Sequence, residues 1–169
     1  MCGIFAVYSL KDIHINFFIS ILEQLKHRGK DSYGITFYDS NKSINHIKSL
    51  TTIQNYDESE FNNIRIALTH NRYSTVKKKS NVDFLQQIQP IHFKNNDLEF
   101  NLVHNGNISN VENYVSYDDN LSDTQNIIKF FTDTKQNNFE DDLIKFLNTI
   151  HCSYSIIILF KETLYVLRD

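Results

Sequence analysis

The chain has 169 residues, of which 41% are hydrophobic and 22% charged, with a formal net charge of −3. This length predicts one domain, over residues 1–169, with a real hydrophobic core, and the ordinary apolar content excludes a wholly disordered chain. The small negative charge excludes the strong basic field that would collect nucleic acid or anionic membranes.

The apolar pattern of the first half predicts a strand, a helix and then more strands. The opening CGIFAVY is typical of a short strand, and apolar residues at helical spacing predict an amphipathic helix from Ile13 to Leu25. Gly29 then stands where a helix C-terminal cap is expected. The segments GITFY and INHI indicate a hairpin around the polar turn DSNKS, and the alternating IRIALTH indicates another strand.

The second half predicts two strands, two helices and a closing hairpin. After a polar loop from Asn71 to about Ile88, QPIHF and LEFNLVH flank an Asn-Asn-Asp turn. The segments SDTQNIIKFF and DDLIKFLNTI have helical spacing, and the first opens with residues that favour an N-cap. YSIIILF and TLYVLRD flank a Lys-Glu turn. This order predicts an α+β fold with mostly antiparallel sheet.

The number of cysteines and the length of the apolar runs indicate the cellular compartment. Two cysteines, Cys2 and Cys152, are too few for a disulfide framework or a cysteine-based zinc site. The N-terminal segment lacks a basic leader, and no apolar run approaches the roughly 20 residues of a membrane-spanning helix. We therefore expect a soluble protein of a reducing compartment, the cytoplasm.

Cys2 is the first candidate for chemistry. A start methionine before a small residue is normally removed, which would leave a thiol and a free α-amine on the same residue. The amine can then act as general base for its own side chain, the logic of an N-terminal nucleophile. The alternative is that Cys2 is a small hydrophobe in an edge strand.

Three further segments carry polar groups that suit such a nucleophile. In HNGN, Asn105 offers a side-chain NH₂ group and Gly106 an unhindered backbone N–H to an oxyanion, although Asn-Gly equally indicates a plain turn. Arg72 in THNRYST can clamp a carboxylate or can be a surface arginine. Asp123, at a predicted helix start, can receive an ammonium group or can cap the helix.

The sequence resembles the class II glutamine amidotransferases, the glutaminase domains with an N-terminal nucleophile. The resemblance rests on seven segments in the family's order: MCGIFAVY, LKHRGKDSYGI, THNRYST, QPIHF, LVHNGNISN, SDTQ and LYVLRD. Within the family the chain is most similar to the amidophosphoribosyltransferase group. The resemblance implies a four-layer αββα sandwich of two antiparallel sheets, without a synthase domain and shortened at its C-terminus.

The resemblance also implies a reaction and its catalytic residues. Cys2 would attack the side-chain amide of L-glutamine and form a γ-glutamyl thioester, with release of ammonia and then glutamate. Asn105 and Gly106 would form the oxyanion hole. No metal or organic cofactor would be required, and a separate synthase subunit would receive the ammonia.

Substrate recognition is implied for four more positions. Arg72 would bind the α-carboxylate of glutamine and Asp123 its α-ammonium, while Thr75 and His104 would line the pocket. Two residues of the HRG turn would shape the site beside the nucleophile: Arg28 and Gly29.

Departures from the family pattern leave alternatives open. Val76 and Lys77 stand where the family has Ala-Gly, in a loop that closes over glutamine, and Thr69 replaces a glycine. One alternative is an N-terminal-nucleophile amidohydrolase that acts on another γ-glutamyl compound. Another is a non-catalytic remnant that serves as a binding or regulatory module. The oligomeric state stays open.

Overall fold

The computed structural model describes residues 1–50, 54–57, 59–73, 87–95, 97–108, 116–134, 138–150 and 153–169. Within those ranges it has eight strands, three α-helices and one 3₁₀ turn. In chain order they are β1 (Gly3–Ile13), α1 (Ile15–Gln24), the 3₁₀ turn Leu25–His27, β2 (Ser32–Asp39), β3 (Ile44–Ser49), β4 (Ile64–Arg72), β5 (Ile91–Lys94), β6 (Glu99–Asn107), α2 (Asp123–Asp133), α3 (Phe139–Thr149), β7 (Ser153–Phe160) and β8 (Thr163–Arg168).

The strands form two four-stranded sheets. The first has the order β1-β4-β2-β3 and the second the order β5-β6-β7-β8. The pairs β1–β4, β2–β4, β2–β3 and β5–β6 are antiparallel. The predicted α+β class with two antiparallel sheets is therefore confirmed.

Contacts divide the chain into two compact units. The first comprises Met1–Asn105 and Ile156–Val166. In this unit α1 buries Ile15, Phe18, Ile19 and Leu22 against β2 and β4 of the first sheet. A separate apolar cluster joins the two sheets, and its buried members are Ile66, Leu68, Val103, Ile157 and Leu159. Helix α1 and the second sheet thus cover opposite faces of the first sheet.

The second unit comprises Gly106–Ser155 and Leu167–Asp169 and contains α2 and α3. Aromatic rings join these helices, and the contacts include Phe130 with Phe146 and Phe131 with both Phe139 and Phe146. Helix α2 begins with a capping box in which Ser122 is the N-cap and Gln125 the reciprocal partner. Among the described residues, no helix combines the length and the apolar character needed to cross a membrane.

The structure corrects the predicted first helix at both ends. Strand β1 continues past a register shift to Ile13, which pairs with Ile64. The helix therefore begins at Ile15, where the His14 ring accepts the Asn16 N–H as an N-cap. At the other end Leu25 belongs to a 3₁₀ turn, and Gly29 is not a left-handed cap because its φ is not positive.

Candidate active site

Three strands bring the polar candidates of the first unit to one end of the space between the sheets. Cys2 immediately precedes β1, whose Ile4 and Ala6 pack against the inter-sheet cluster. Side chains alternate between the faces of a strand, so Arg72 shares a face with Leu68, and Asn105 with Val103. The β1–β4 register pairs Gly3 with Asn71, so Cys2 and Arg72 are the residues that adjoin the last pair of this ladder.

Cys2 is half-buried and its backbone is fixed by two side chains. Its nitrogen donates to Asn105 Oδ1 at 3.0 Å, and its carbonyl oxygen accepts from Arg28 Nε at 3.2 Å. Its Sγ lies 4.0 Å from the carbonyl oxygen of Tyr73. The side chain is partly exposed and lies just before β1, an edge strand of the first sheet, so the alternative of a small hydrophobe at an edge strand stays open.

The HNGN segment is not a turn, contrary to the plain Asn-Gly interpretation. Asn105 and Gly106 lie inside β6, which runs on to Asn107. Because Asn105 uses Oδ1 to accept from Cys2, the opposite end of its amide carries the two N–H groups that an oxyanion needs.

The HRG turn, residues 27–29, packs closely against the end of β4. A Cβ atom on Gly29 would lie 2.5 Å from the carbonyl carbon of Arg72 and 2.7 Å from the nitrogen of Tyr73. Glycine is therefore required for close backbone approach and not for a left-handed conformation. The backbone N–H of Asp31 donates to the carbonyl oxygen of Arg72 at 3.0 Å, a second contact between this turn region and the end of β4.

Asn71 holds this turn in place, and sequence reasoning missed it. The side chain is completely buried, and Nδ2 donates to Leu22 O at 2.8 Å and to Gly29 O at 3.3 Å. It thereby ties the end of α1 and the HRG turn to the strand that carries Arg72. Its position between His70 and Arg72 in THNRYST was the available signal, but a lone asparagine in a strand does not reveal its partners.

Arg72 ends β4 half-buried and contacts Gln87. Its Nη2 donates to Gln87 Oε1 at 3.0 Å and its Nη1 to the Gln87 carbonyl oxygen at 3.4 Å. Burial lowers the pKa of the guanidinium, while Cys2 and Asp31 act in the opposite direction. Arginine still remains charged, so a partly desolvated cation lies beside the cysteine.

His104 and His70 are buried beneath these groups. His104 is 3% exposed, and its backbone N–H donates to Gln89 Oε1 at 2.6 Å. Gln89 is packed so tightly that a Cβ atom on Gly34 would collide with its carbonyl oxygen. Burial, with repulsion from Arg72, lowers the pKa of His70 to about 3, so this ring is neutral near pH 7.

Asp123 lies in the second unit, at the first turn of α2. Ser122 is the N-cap, so the N-capping interpretation of Asp123 is wrong. The Asp123 carboxylate accepts from Ile108 N at 3.1 Å and from Tyr117 Oη at 3.5 Å. Gly106 belongs to the same unit. Thr75, Val76 and Lys77 lie outside the described residues.

The described part of the chain has no group of three or more His, Cys, Asp or Glu side chains that could hold a metal ion. The polar groups around Cys2 are the Asn105 amide, the guanidinium groups of Arg28 and Arg72, and backbone atoms. Such a set can bind an anion and stabilise an oxyanion.

Curated proteins similar to this chain are amidophosphoribosyltransferases. The Staphylococcus aureus protein is 28% identical over 174 residues, which cover 97% of this chain and 34% of the relative. The Staphylococcus epidermidis protein is 26% identical over 178 residues, with coverage of 99% and 35%. The chloroplastic amidophosphoribosyltransferase 3 of Arabidopsis thaliana is 28% identical over 159 residues, with coverage of 88% and 29%. The chain thus spans about a third of the length of the curated relatives it matches.

Solved structures show the same fold. The glutamine phosphoribosylpyrophosphate amidotransferase of B. subtilis, complexed with ADP and GMP, matches all of this chain and 37% of its own with a TM-score of 0.76 at 22% identity. A structure described as the allosteric regulatory enzyme of purine biosynthesis gives a TM-score of 0.75 at 23% identity. No family model matches the chain. The homologues confirm the predicted resemblance, and the structural likeness confirms the fold class.

Proposed function

We propose that this chain hydrolyses the side-chain amide of L-glutamine to glutamate and ammonia, as the ammonia-supplying part of an amidotransferase. The single observation that carries the proposal is the contact of the Cys2 nitrogen with Asn105 Oδ1 at 3.0 Å, immediately before β1 begins. The similarity to amidophosphoribosyltransferases supports the same substrate.

The nucleophile would be the thiol of Cys2 after removal of Met1. The Cys2 nitrogen then becomes an α-amine, and its contact with Asn105 holds it beside its own thiol. The amine accepts the thiol proton as Sγ attacks the γ-carbonyl carbon, and it delivers that proton to the amide nitrogen as the C–N bond breaks. Ammonia leaves, water attacks the thioester, and glutamate is released.

The oxyanion of each tetrahedral intermediate would be stabilised by Asn105 and Gly106. The side-chain NH₂ group of Asn105 and the backbone N–H of Gly106 are the donors that the family resemblance implies. Arg28 and Gly29 would contribute by position, since Arg28 holds the Cys2 carbonyl and Gly29 lets the turn approach β4. Fixed donors of this kind lower the barrier because they need no reorganisation during the reaction.

Recognition of free glutamine would depend on its two charged ends. Arg72 would bind the α-carboxylate and Asp123 the α-ammonium, and Thr75 and His104 would line the pocket. An oppositely charged pair fixes the amino-acid end, so the side-chain amide is presented to the sulfur in one orientation. No metal or organic cofactor takes part in these steps.

The fate of the ammonia is a second element of the proposal. Residues 1–169 would form a glutaminase domain, and the ammonia that it releases would pass to a synthase. The relatives' names associate them with transfer to a phosphoribosyl group, and the chain spans about a third of their length.

The test is ammonia release from L-glutamine by the wild-type chain and by Cys2→Ala, with intact mass to establish whether Met1 is absent. We expect Cys2→Ala to abolish turnover without loss of the fold, while Cys152→Ala, which removes the other thiol, remains active. Turnover by Cys2→Ala would refute the nucleophile. Release only from other γ-glutamyl compounds would favour the amidohydrolase alternative, and no release from any amide would favour the binding module.

A further inference from the structure

The guanidinium of Arg72 already has a ligand in this structure. Gln87 contacts it twice, through its side-chain oxygen at Nη2 and its main-chain oxygen at Nη1, at 3.0 and 3.4 Å. One residue thus presents two oxygens to the two terminal nitrogens, which is the pattern that a carboxylate makes with arginine. Both residues are partly buried, so the contact is not an exposed surface bond.

The contact and a carboxylate that binds end-on would use the same two terminal nitrogens. An end-on carboxylate accepts one bond from each of these nitrogens, and each carries a Gln87 oxygen here. Amide oxygens are neutral acceptors, whereas a carboxylate forms charge-assisted bonds that are roughly twice as strong. A carboxylate can therefore displace Gln87, and a neutral group gains little by doing so.

We propose that Gln87 is a specificity-determining residue, an internal ligand of Arg72 that sets the affinity of the site for the α-carboxylate of its substrate. The proposal rests on the proposed role of Arg72. Gln87 contacts both terminal nitrogens of the half-buried cation, and a carboxylate that binds end-on must replace it. The contact therefore lowers the affinity of the site for amides that carry a free α-carboxylate and leaves amides that lack one unaffected.

Two substitutions at position 87 have opposite expected effects. Gln87→Ala removes the competing side-chain oxygen, so L-glutamine should bind about 2- to 10-fold more tightly, as expected for loss of one neutral hydrogen bond. Gln87→Glu places a carboxylate on Arg72, so L-glutamine should bind more than about tenfold more weakly. A residue that merely supported Arg72 would weaken binding when truncated.

The experiment is calorimetric binding of L-glutamine and of L-glutaminamide, which lacks the α-carboxylate, to chains that also carry Cys2→Ala to prevent turnover. Affinity for L-glutaminamide should not change with either substitution. Gln24→Ala and Gln24→Glu, at an exposed residue, are matched controls that should leave both affinities unchanged. Weaker or unchanged glutamine binding by Gln87→Ala would overturn the proposal.

A second readout separates this proposal from the proposed function. The rate of Cys2 alkylation by iodoacetate relative to iodoacetamide, assigned by peptide mapping in chains that retain Cys2, reports how well Arg72 attracts a carboxylate to the sulfur. This ratio should rise in Gln87→Ala and fall in Gln87→Glu even if the chain does not hydrolyse glutamine. Absence of glutamine binding with the expected ratios would refute the glutaminase alone, whereas unchanged ratios would refute the role of Gln87.

Discussion

Arg72 is the residue whose removal discriminates best between binding and chemistry. The proposed carboxylate contact exists in both the ground state and the transition state, so Arg72→Ala should raise KM for glutamine roughly 10- to 100-fold with a smaller change in kcat. The measurement is steady-state ammonia release over a wide range of glutamine concentration. Arg65→Ala is the matched control, because Arg65 lies on the same strand but pairs with Asp12 at an exposed position.

An unchanged KM in Arg72→Ala would mean that the carboxylate binds elsewhere. In the control, Arg65→Ala, we expect KM to stay unchanged. The ion pair of Arg65 with Asp12 is a surface interaction, and such pairs contribute little to stability.

Single residues also show how far the sequence could predict the site. Three candidate residues could be identified from their motifs without a structure: Cys2, Arg72 and Asn105. The fold brings them to the same end of the sheets. Asn71 and Gln87 could not be predicted in this way. Their side chains act through partners that are distant in sequence or beyond a loop, and amide residues in a strand or loop have many structural uses.

At the scale of elements, the position of the site depends on how closely the HRG turn meets the end of β4. Gly29→Ala should destabilise the fold by about 1–3 kcal/mol, because the added Cβ meets backbone atoms that cannot rotate away. The measurement is the free energy of unfolding in denaturant. Gly3→Ala is the matched control, since its Cβ would first meet a side-chain atom, Leu25 Cβ, at 3.2 Å.

If Gly29→Ala proved no more destabilising than Gly3→Ala, the close approach of the turn to β4 would not be a requirement of the fold. We expect the KM for glutamine to rise in Gly29→Ala as well, since the displaced backbone belongs to Arg72.

Element types were easier to predict from this sequence than element ends. Alternating apolar residues identified β4, and the polar turn between β2 and β3 identified their hairpin. The start of α1 was missed because Ile13 fits both the helical pattern and the strand, and pairing with Ile64 decides for the strand. The sequence could not decide whether the Asn-Gly pair forms a turn or part of a site. Turn propensity is a local property and carries no information about the strands that pair with this segment.

At the scale of the whole molecule, the buried polar residues of β4 make stability sensitive to acid. His70 is completely buried in the first unit, and its pKa is lowered to about 3. The unfolded chain binds a proton at this residue below about pH 6.5, whereas the folded chain does not until near pH 3. Unfolding is therefore favoured as the pH falls through this window, by up to about 1.4 kcal/mol per pH unit for this one group.

The free energy of unfolding at pH 7.5 and at pH 5, measured for the wild type and for His70→Gln, tests this coupling. The substitution should destabilise the chain at pH 7.5, and the difference from the wild type should shrink by about 2 kcal/mol at pH 5, because only the wild type bears the protonation penalty. Leu68→Ala, a cavity substitution on the same strand, has no titratable group, so its difference should be equal at both pH values. An equal difference for His70→Gln at both pH values would show that His70 accepts a proton in the folded chain. That result would contradict the conclusion that the buried His70 ring is neutral.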